Sequence, residues 1–249
     1  MYLEEIEECI NKYKISNFYF SADSFTFDRD WVIKFCNIIT NKKLKINWLC
    51  NTRADCIDED MVTNMKKAGC WGMSIGVESG SQSILNKIGK GIKLETIAET
   101  FNMLNKNKIV TLAHFMIGFP WDNYETVNET IKYALKLKCT LIDFNIVIPF
   151  HGTALRKIFE QYNLLSIDCP LERTDYRIPT AKTLYLSSDE LIKLRKKALF
   201  KVYFRPVFIV KALSLVKSFK QFYTCFGFMF YKFIWLFKKQ KNYIKQIDS

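Results

Sequence analysis

The chain has 249 residues, 49% of them hydrophobic, and a formal net charge of +12. That length and apolar content allow one barrel-sized α/β domain with an appendage and exclude a disordered chain. The charge is localised: residues 191–249 carry 14 Lys and Arg against Asp248 alone, while residues 1–190 carry 23 basic and 24 acidic residues.

Met1–Asn11 reads as an acidic amphipathic helix without the apolar stretch of a secretory signal. The expected location is therefore the cytoplasm. The eight cysteines are expected to be reduced, and to serve as core packing or metal ligands before disulfides. Short apolar runs then predict strands at Asn17–Ser21, Lys45–Cys50, Gly72–Val77, Val110–Ile117 and Leu141–Ile148. Between them, apolar residues at helical spacing predict helices over Asp28–Asn41, Asp58–Ala68, Lys93–Lys106 and Asn123–Lys138. Asp28 and Asp58 fit as N-caps, and Gly69 closes the second helix. Strand followed by helix, repeated, requires parallel pairing. Five such units fit either an open doubly wound sheet or part of a barrel, and both bind ligands at the carboxyl ends of their strands.

Those ends carry Ser21-Ala22-Asp23-Ser24, Asn51-Thr52-Arg53-Ala54-Asp55, Gly76-Val77-Glu78-Ser79-Gly80-Ser81, Ile117-Gly118-Phe119-Pro120 and Ile148-Pro149-Phe150-His151-Gly152-Thr153. Taken singly, each has a bland account as a cap, turn or strand terminator. Together they describe a polar small-molecule site. Glu78 can accept from hydroxyls or an ammonium, Arg53 can pair with a carboxylate, and the glycines let a ligand approach the backbone. His114 fits a core residue and His151 a turn.

The order and wording of these segments go further. Tyr19-Phe20-Ser21-Ala22-Asp23-Ser24-Phe25-Thr26, Arg53-Ala54-Asp55, Met65-Lys66-Lys67-Ala68-Gly69-Cys70, and Gly76-Val77-Glu78-Ser79-Gly80-Ser81-Gln82 with Ile84 to Gly91 resemble the radical S-adenosylmethionine superfamily. Phe115-Met116-Ile117-Gly118-Phe119-Pro120 and Pro149-Phe150-His151-Gly152-Thr153-Ala154-Leu155 complete the set. The branch it looks most like often carries a cobalamin-binding domain. The resemblance implies a partial (β/α) TIM-like barrel over residues 1–165, lacking its first strand. A connecting segment over 166–190 and a basic, aromatic helical extension over 191–249 would follow. It implies S-adenosylmethionine as cofactor, a 4Fe–4S cluster, a small-molecule substrate and a reductant protein, with cobalamin reaching the enzyme through a further domain. By position, Glu78 and Ser79 match the segment that contacts the cofactor's ribose and methionine parts. Ile117 and Gly118 match the backbone near the adenine, and Asp23 lies where a loop approaches the methionine amino group. Arg53 joins this cofactor-binding set.

The chain departs from that pattern in one respect above all. In the family, three cysteines in a Cys-x-x-x-Cys-x-x-Cys run hold the cluster, and no three of the cysteines at 9, 36, 50, 56, 70, 139, 169 and 225 have that spacing. Met1–Tyr13 corresponds to the helix after the cluster loop, which places the expected cysteines upstream. A trio of Cys50, Cys56 and Cys70 is the remaining candidate metal site. Trp121-Asp122-Asn123 stands where the family often has Gly-Glu-Thr, which puts the shape of that loop in question.

Three functions are open at this stage. They are a radical S-adenosylmethionine enzyme represented by an incomplete chain, a catalytically dead remnant or binding module of the same fold, and an ordinary α/β barrel enzyme using Glu78 for acid–base work. The tail adds a possible partner. Val207–Phe237 mixes dense aromatics with lysines, which fits an interfacial helix on an anionic membrane at the inner face or a cover over the barrel. The same density disfavours a nucleic-acid stacking groove.

Overall fold

The computed structural model describes residues 2–166, 175–205 and 227. Five strands, β1 (Asn17–Phe20), β2 (Asn47–Thr52), β3 (Cys70–Glu78), β4 (Val110–Ile117) and β5 (Leu141–Ile146), form one sheet in the order β1-β2-β3-β4-β5. All four pairings are parallel. A doubly wound sheet reverses its strand order at a switch point, whereas this order runs straight through, as in a barrel wall. The sheet is open, so the fold is a partial TIM-like barrel.

Helices α1 (Tyr2–Tyr13), α2 (Arg29–Asn41), α3 (Glu59–Lys67), α4 (Gln82–Lys87), α5 (Leu94–Lys106), α6 (Tyr124–Lys136), α7 (Ala154–Gln161) and α8 (Ser188–Tyr203), with a single 3-10 turn over Ala54–Cys56, complete the described elements. Their boundaries follow local chemistry. The Asp28 and Asp58 carboxylates accept from the backbone N–H groups of Trp31 and Met61, so both aspartates are N-caps. Gly69 follows the end of α3 with φ +94°, and a Cβ there would lie 2.0 Å from the Ile46 carbonyl oxygen. Only glycine fits that turn. Ser187 caps α8: its N–H and hydroxyl both donate to Glu190, and the Glu190 N–H donates back to Ser187 Oγ. Ser81 precedes α4, but its hydroxyl bonds Ser83 rather than capping the backbone.

Apolar helix stripes bury one face of the sheet. Val32, Phe35, Cys36 and Ile39 of α2 and Ile97, Phe101 and Leu104 of α5 are buried, as are Trp48, Ile75, Phe115 and Phe144 on the strands. Phe20, Phe25, Phe35 and Trp48 form an aromatic cluster there, with ring centroids 5.2–5.8 Å apart. Trp48 Nε1 donates to the Ala68 carbonyl at 2.8 Å, which satisfies its polar edge. Cys36, Cys50 and Cys70 lie in this core. Burial pushes the Cys36 thiol up to about 12, and a hydrogen bond with Cys70 together with burial raises that of Cys50. Thiols so protonated are poor metal ligands. Among the described residues, no three His, Cys, Asp or Glu side chains converge to hold a metal ion.

The chain divides into two compact units, residues 1–195 and 196–249. Within the first, the described part of the expected connector folds back on the strand ends. Ile146 N–H donates to the Tyr176 carbonyl and Leu184 N–H to that of Pro120, and Leu165 bridges Ala181 in antiparallel fashion. In the tail, α8 is helical to Tyr203. The expectation for Val207–Phe237 lies outside the described residues. No helix among the described residues is long and apolar enough to cross a membrane.

Candidate functional site

β3 ends in a distorted residue. Its register against β4 slips between Gly76 and Glu78, and Glu78 adopts φ +67°. A left-handed conformation costs a side-chain-bearing residue about 1–2 kcal/mol. Such strain persists where surrounding contacts hold it, often at a site. Here the contact is the Lys90 ammonium, 3.0 Å from Glu78 Oε1, with side-chain exposures of 12% for Lys90 and 27% for Glu78. Gly76 makes room for this arrangement, because a Cβ there would stand 2.5 Å from Glu78 Oε1.

Lys90 lies between Gly89 and Gly91, both left-handed at φ +66° and +69° with open space around them. This turn spans two strand ends. The Lys90 side chain reaches Glu78 of β3, while its carbonyl accepts from Arg53 Nη2 at 2.9 Å just after β2. Arg53 also grips Asp55 through Nε at 3.0 Å and Nη2 at 2.7 Å. That bidentate pair raises the Arg53 guanidinium and lowers the Asp55 carboxyl. Arg53 thus already holds a carboxylate, that of Asp55, from its own loop.

The remaining expected residues take different positions. Ser79 is buried, its hydroxyl 3.0 Å from Thr130 Oγ1 and accepting from Ser81 N–H. Gly80 is pressed against α6, where a Cβ would come within 2.5 Å of Tyr133 Cβ and 2.7 Å of Thr130 Cα. Ser79 therefore fixes the turn after Glu78 and turns its side chain away from open space. Ile117 is fully buried on the helix-covered face, and Gly118 beyond it is left-handed at φ +104°. Asp23 is exposed in the loop after β1. Glu78 and Arg53 meet through Lys90, and Ile117-Gly118 flanks them on β4.

The Trp121-Asp122-Asn123 loop is held by a carboxylate. Asp122 Oδ2 accepts from the N–H groups of Gly118 at 2.9 Å and Phe119 at 3.0 Å, and Oδ1 accepts from Thr126 Oγ1 at 2.8 Å. Thr183 Oγ1 donates to the Asp122 carbonyl at 2.8 Å. Burial pushes the Asp122 carboxyl up to about 6, against the pull of these donors.

A cavity of about 510 Å³ opens between these ends, lined by Glu78, Lys90, Met116, Phe119, Trp121, Ile148 and Tyr176 among others. Lys87 Nζ lies 5.7 Å over the Trp121 ring. The lining is mostly apolar, with the Glu78–Lys90 charges within it, a composition suited to a planar ring carrying a charged or polar arm. Sequence reasoning did not single out Lys90 or Tyr176. The first depends on the two-glycine turn, and the second on a fold-back 30 residues beyond β5.

Comparison with known proteins agrees with this architecture. The family model of the radical SAM superfamily matches residues 1–134. An uncharacterized methyltransferase of Pyrococcus horikoshii is 31% identical over 209 residues, covering 84% of this chain and 45% of that protein. The anaerobic magnesium-protoporphyrin IX monomethyl ester cyclase of Rubrivivax gelatinosus is 31% identical over 175 residues, covering 66% of this chain and 32% of that protein. Among solved structures, the cobalamin-dependent S-adenosylmethionine radical enzyme OxsB superposes with a TM-score of 0.62 at 13% identity, over 92% of this chain and 40% of that one. The radical S-adenosylmethionine methyltransferase TsrM of Kitasatospora setae gives 0.57 at 16% identity, over 78% and 40%. These structural likenesses concern the fold. The chain spans less than half the length of the curated relatives it matches. On the matched domain, the 31% identity and the shared barrel wall, this chain belongs to the radical S-adenosylmethionine superfamily.

Proposed function

We propose that this chain forms the S-adenosylmethionine-binding wall of a radical enzyme that methylates or rearranges a small molecule, with residues 1–165 as its core, 166–190 as a segment over the strand ends and 191–249 as a basic extension. The observation that carries this reading is the Glu78–Lys90 pair beside an apolar cavity at the carboxyl edge of a parallel sheet. The ligand has an ammonium, a carboxylate and an aromatic ring, and the site offers a partner for each. Glu78 accepts from the ammonium or the ribose hydroxyls, and Lys90 exchanges Glu78 for the ligand carboxylate. The apolar lining takes the adenine beside the Ile117-Gly118 backbone. Arg53, already neutralised by Asp55, holds the Lys90 turn in place. Ser79 holds the backbone after Glu78, and Asp122 holds the loop after Gly118. Asp23, exposed after β1, approaches the amino end. Bound S-adenosylmethionine supplies the reactive sulfonium carbon.

The described cysteines do not fit a 4Fe–4S cluster, since Cys36, Cys50 and Cys70 are buried in the core with raised pKa values for Cys36 and Cys50. The Glu78–Lys90 pair beside the apolar cavity serves equally a second reading, a module that binds the nucleoside ligand without radical chemistry.

Calorimetry with S-adenosylhomocysteine tests the binding claim shared by both. Loss of a charge-assisted hydrogen bond is worth about 1.5–3 kcal/mol, or roughly 10–100-fold in affinity. Glu78→Ala is expected to lose that much and the exposed Glu99→Ala nothing; equal affinities would remove Glu78 from the site.

A further inference from the structure

The second face of the sheet, the inner wall of the partial barrel, carries a pattern that the strand-end site does not use. β2, β4 and β5 alternate residue by residue between fully buried positions toward the helices and half-buried or exposed positions on this face. Inner faces of closed barrels are filled by Val, Ile and Leu. Here every strand places polar side chains there, among them Tyr19, Asn51, Ser74, His114 and Asp143.

These five form a row across the strands. Tyr19 Oη donates to Asn51 Oδ1 at 2.6 Å. Asn51 is the register partner of Ser74, and His114 that of Asp143. Ser74 Oγ lies 2.7 Å from His114 Nε2. A polar row inside a barrel costs stability unless its groups find partners. Part of its capacity is met internally, while Nδ1 of His114 has no partner among the described residues. The Ser74 hydroxyl can turn, so either imidazole tautomer is compatible with it, and His114 can donate or accept through its second nitrogen.

We propose that this row is a binding surface for a polar edge of a small molecule, a group that both donates and accepts such as an amide, a hydroxyl or a ring N–H, and that His114 is the residue that touches it. Identifying that molecule as the substrate rests on the cofactor reading above. The placement suits such a role. His114 is the register partner of Gly76, two residues short of Glu78. At about 3.3 Å per residue, the row lies roughly 7–13 Å below the charged site, within the span of one small molecule.

The chain's two histidines make the test direct, because His151 is exposed in a turn and serves as an internal control. Full-length protein labelled at histidine is saturated with S-adenosylhomocysteine and titrated with indole-3-carboxamide, with 1-methylindole as the probe stripped of donors. The expected result is a saturable shift of the His114 ring resonances, no shift at His151 and no response to 1-methylindole. Ser74→Ala is expected to weaken the carboxamide about 3–10-fold, with the homocysteine ligand's affinity unchanged. If that ligand binds but the carboxamide leaves His114 unmoved, or 1-methylindole moves it equally, the row is not a binding surface and the cofactor reading stands. If that ligand fails to bind, the cofactor reading falls, and the His114 shift alone decides the row.

Discussion

Replacing Gly76 with alanine separates the charged site from the fold that carries it. Gly76 is not one of the left-handed glycines, so the substitution acts through space alone. The added Cβ would stand 2.5 Å from Glu78 Oε1 and 3.4 Å from Lys90 Nζ, so the carboxylate must retreat by roughly 0.9 Å to reach ordinary contact. That movement breaks a 3.0 Å ion pair whose partners keep some solvent access. Losing it costs about 0.5–1 kcal/mol, and exchanging glycine for alanine returns about 0.4–1 kcal/mol by restricting the unfolded chain. The two nearly cancel, so Tm is expected to stay within about 4 °C, since 1 kcal/mol moves a chain of this size by roughly 2–4 °C. Affinity for S-adenosylhomocysteine, which needs the carboxylate in place, is expected to fall about 10–100-fold. Thermal melts and calorimetry on the same preparation provide both numbers. Unchanged affinity would refute the role given to the Glu78 position. A drop in Tm beyond 8 °C or so would show that the clash falls on backbone rather than on a movable side chain.

Asp122 gives a pH signature. Its folded pKa of about 6 lies above the ordinary 3.8, so the native state holds the proton more tightly between those values. The stability this contributes is complete below about pH 4 and is lost as pH rises through 6, on the order of 3 kcal/mol at 1.36 kcal/mol per unit. Asp122→Asn is expected to flatten that part of the stability–pH profile, as followed by urea unfolding from pH 4 to 7, and an unchanged slope would assign the titration elsewhere. Gly80→Ala drives a methyl into Thr130 and Tyr133 and is expected to cost about 1–3 kcal/mol by overpacking; a melt equal to that of the parent chain would show that α6 can yield. Anaerobic reconstitution of this chain is expected to leave it without a stoichiometric 4Fe–4S cluster by iron analysis, and a full complement of iron would show that its cysteines converge after all. The basic aromatic sequence over 191–249 predicts flotation with anionic but not neutral vesicles, weakened by salt; a chain that ignores both assigns the tail to another role.

Short apolar runs located each described strand, and they placed the ends best where a glycine follows. β4 spans Val110–Ile117 as expected because Gly118 turns sharply after it. β2 was expected at Lys45–Cys50 and lies at Asn47–Thr52. The polar Asn51 and Thr52 read as loop but carry strand pairing, and the Thr52 hydroxyl bonds that of Thr26. Glu78 was expected beyond its strand and is instead its final, left-handed residue. α4 and α7, at 6 and 8 residues, are too short for a helical period to stand out. In the site, Glu78 was legible from its motif, and Lys90 was not, because its place depends on glycine geometry rather than residue type. Asp122 was read as a departure in its loop. The structure shows its carboxylate bonding the two backbone N–H groups that shape the turn.

The straight strand order has a consequence for how the molecule comes into being. From Asn47–Thr52 through Leu141–Ile146, each strand's first partner in the sheet is the one made immediately before it. No strand in the sheet has to wait for a partner several units downstream. Chains emerge from the ribosome at about 5–20 residues per second and fold N-terminal parts first. The wall can therefore be laid down in the order of its translation, each new βα unit docking on an edge already in place. The fold-back of residues 175–187 onto the segments after β4 and β5 follows the strands, so those carboxyl ends are covered only after the five described strands beneath them are in place.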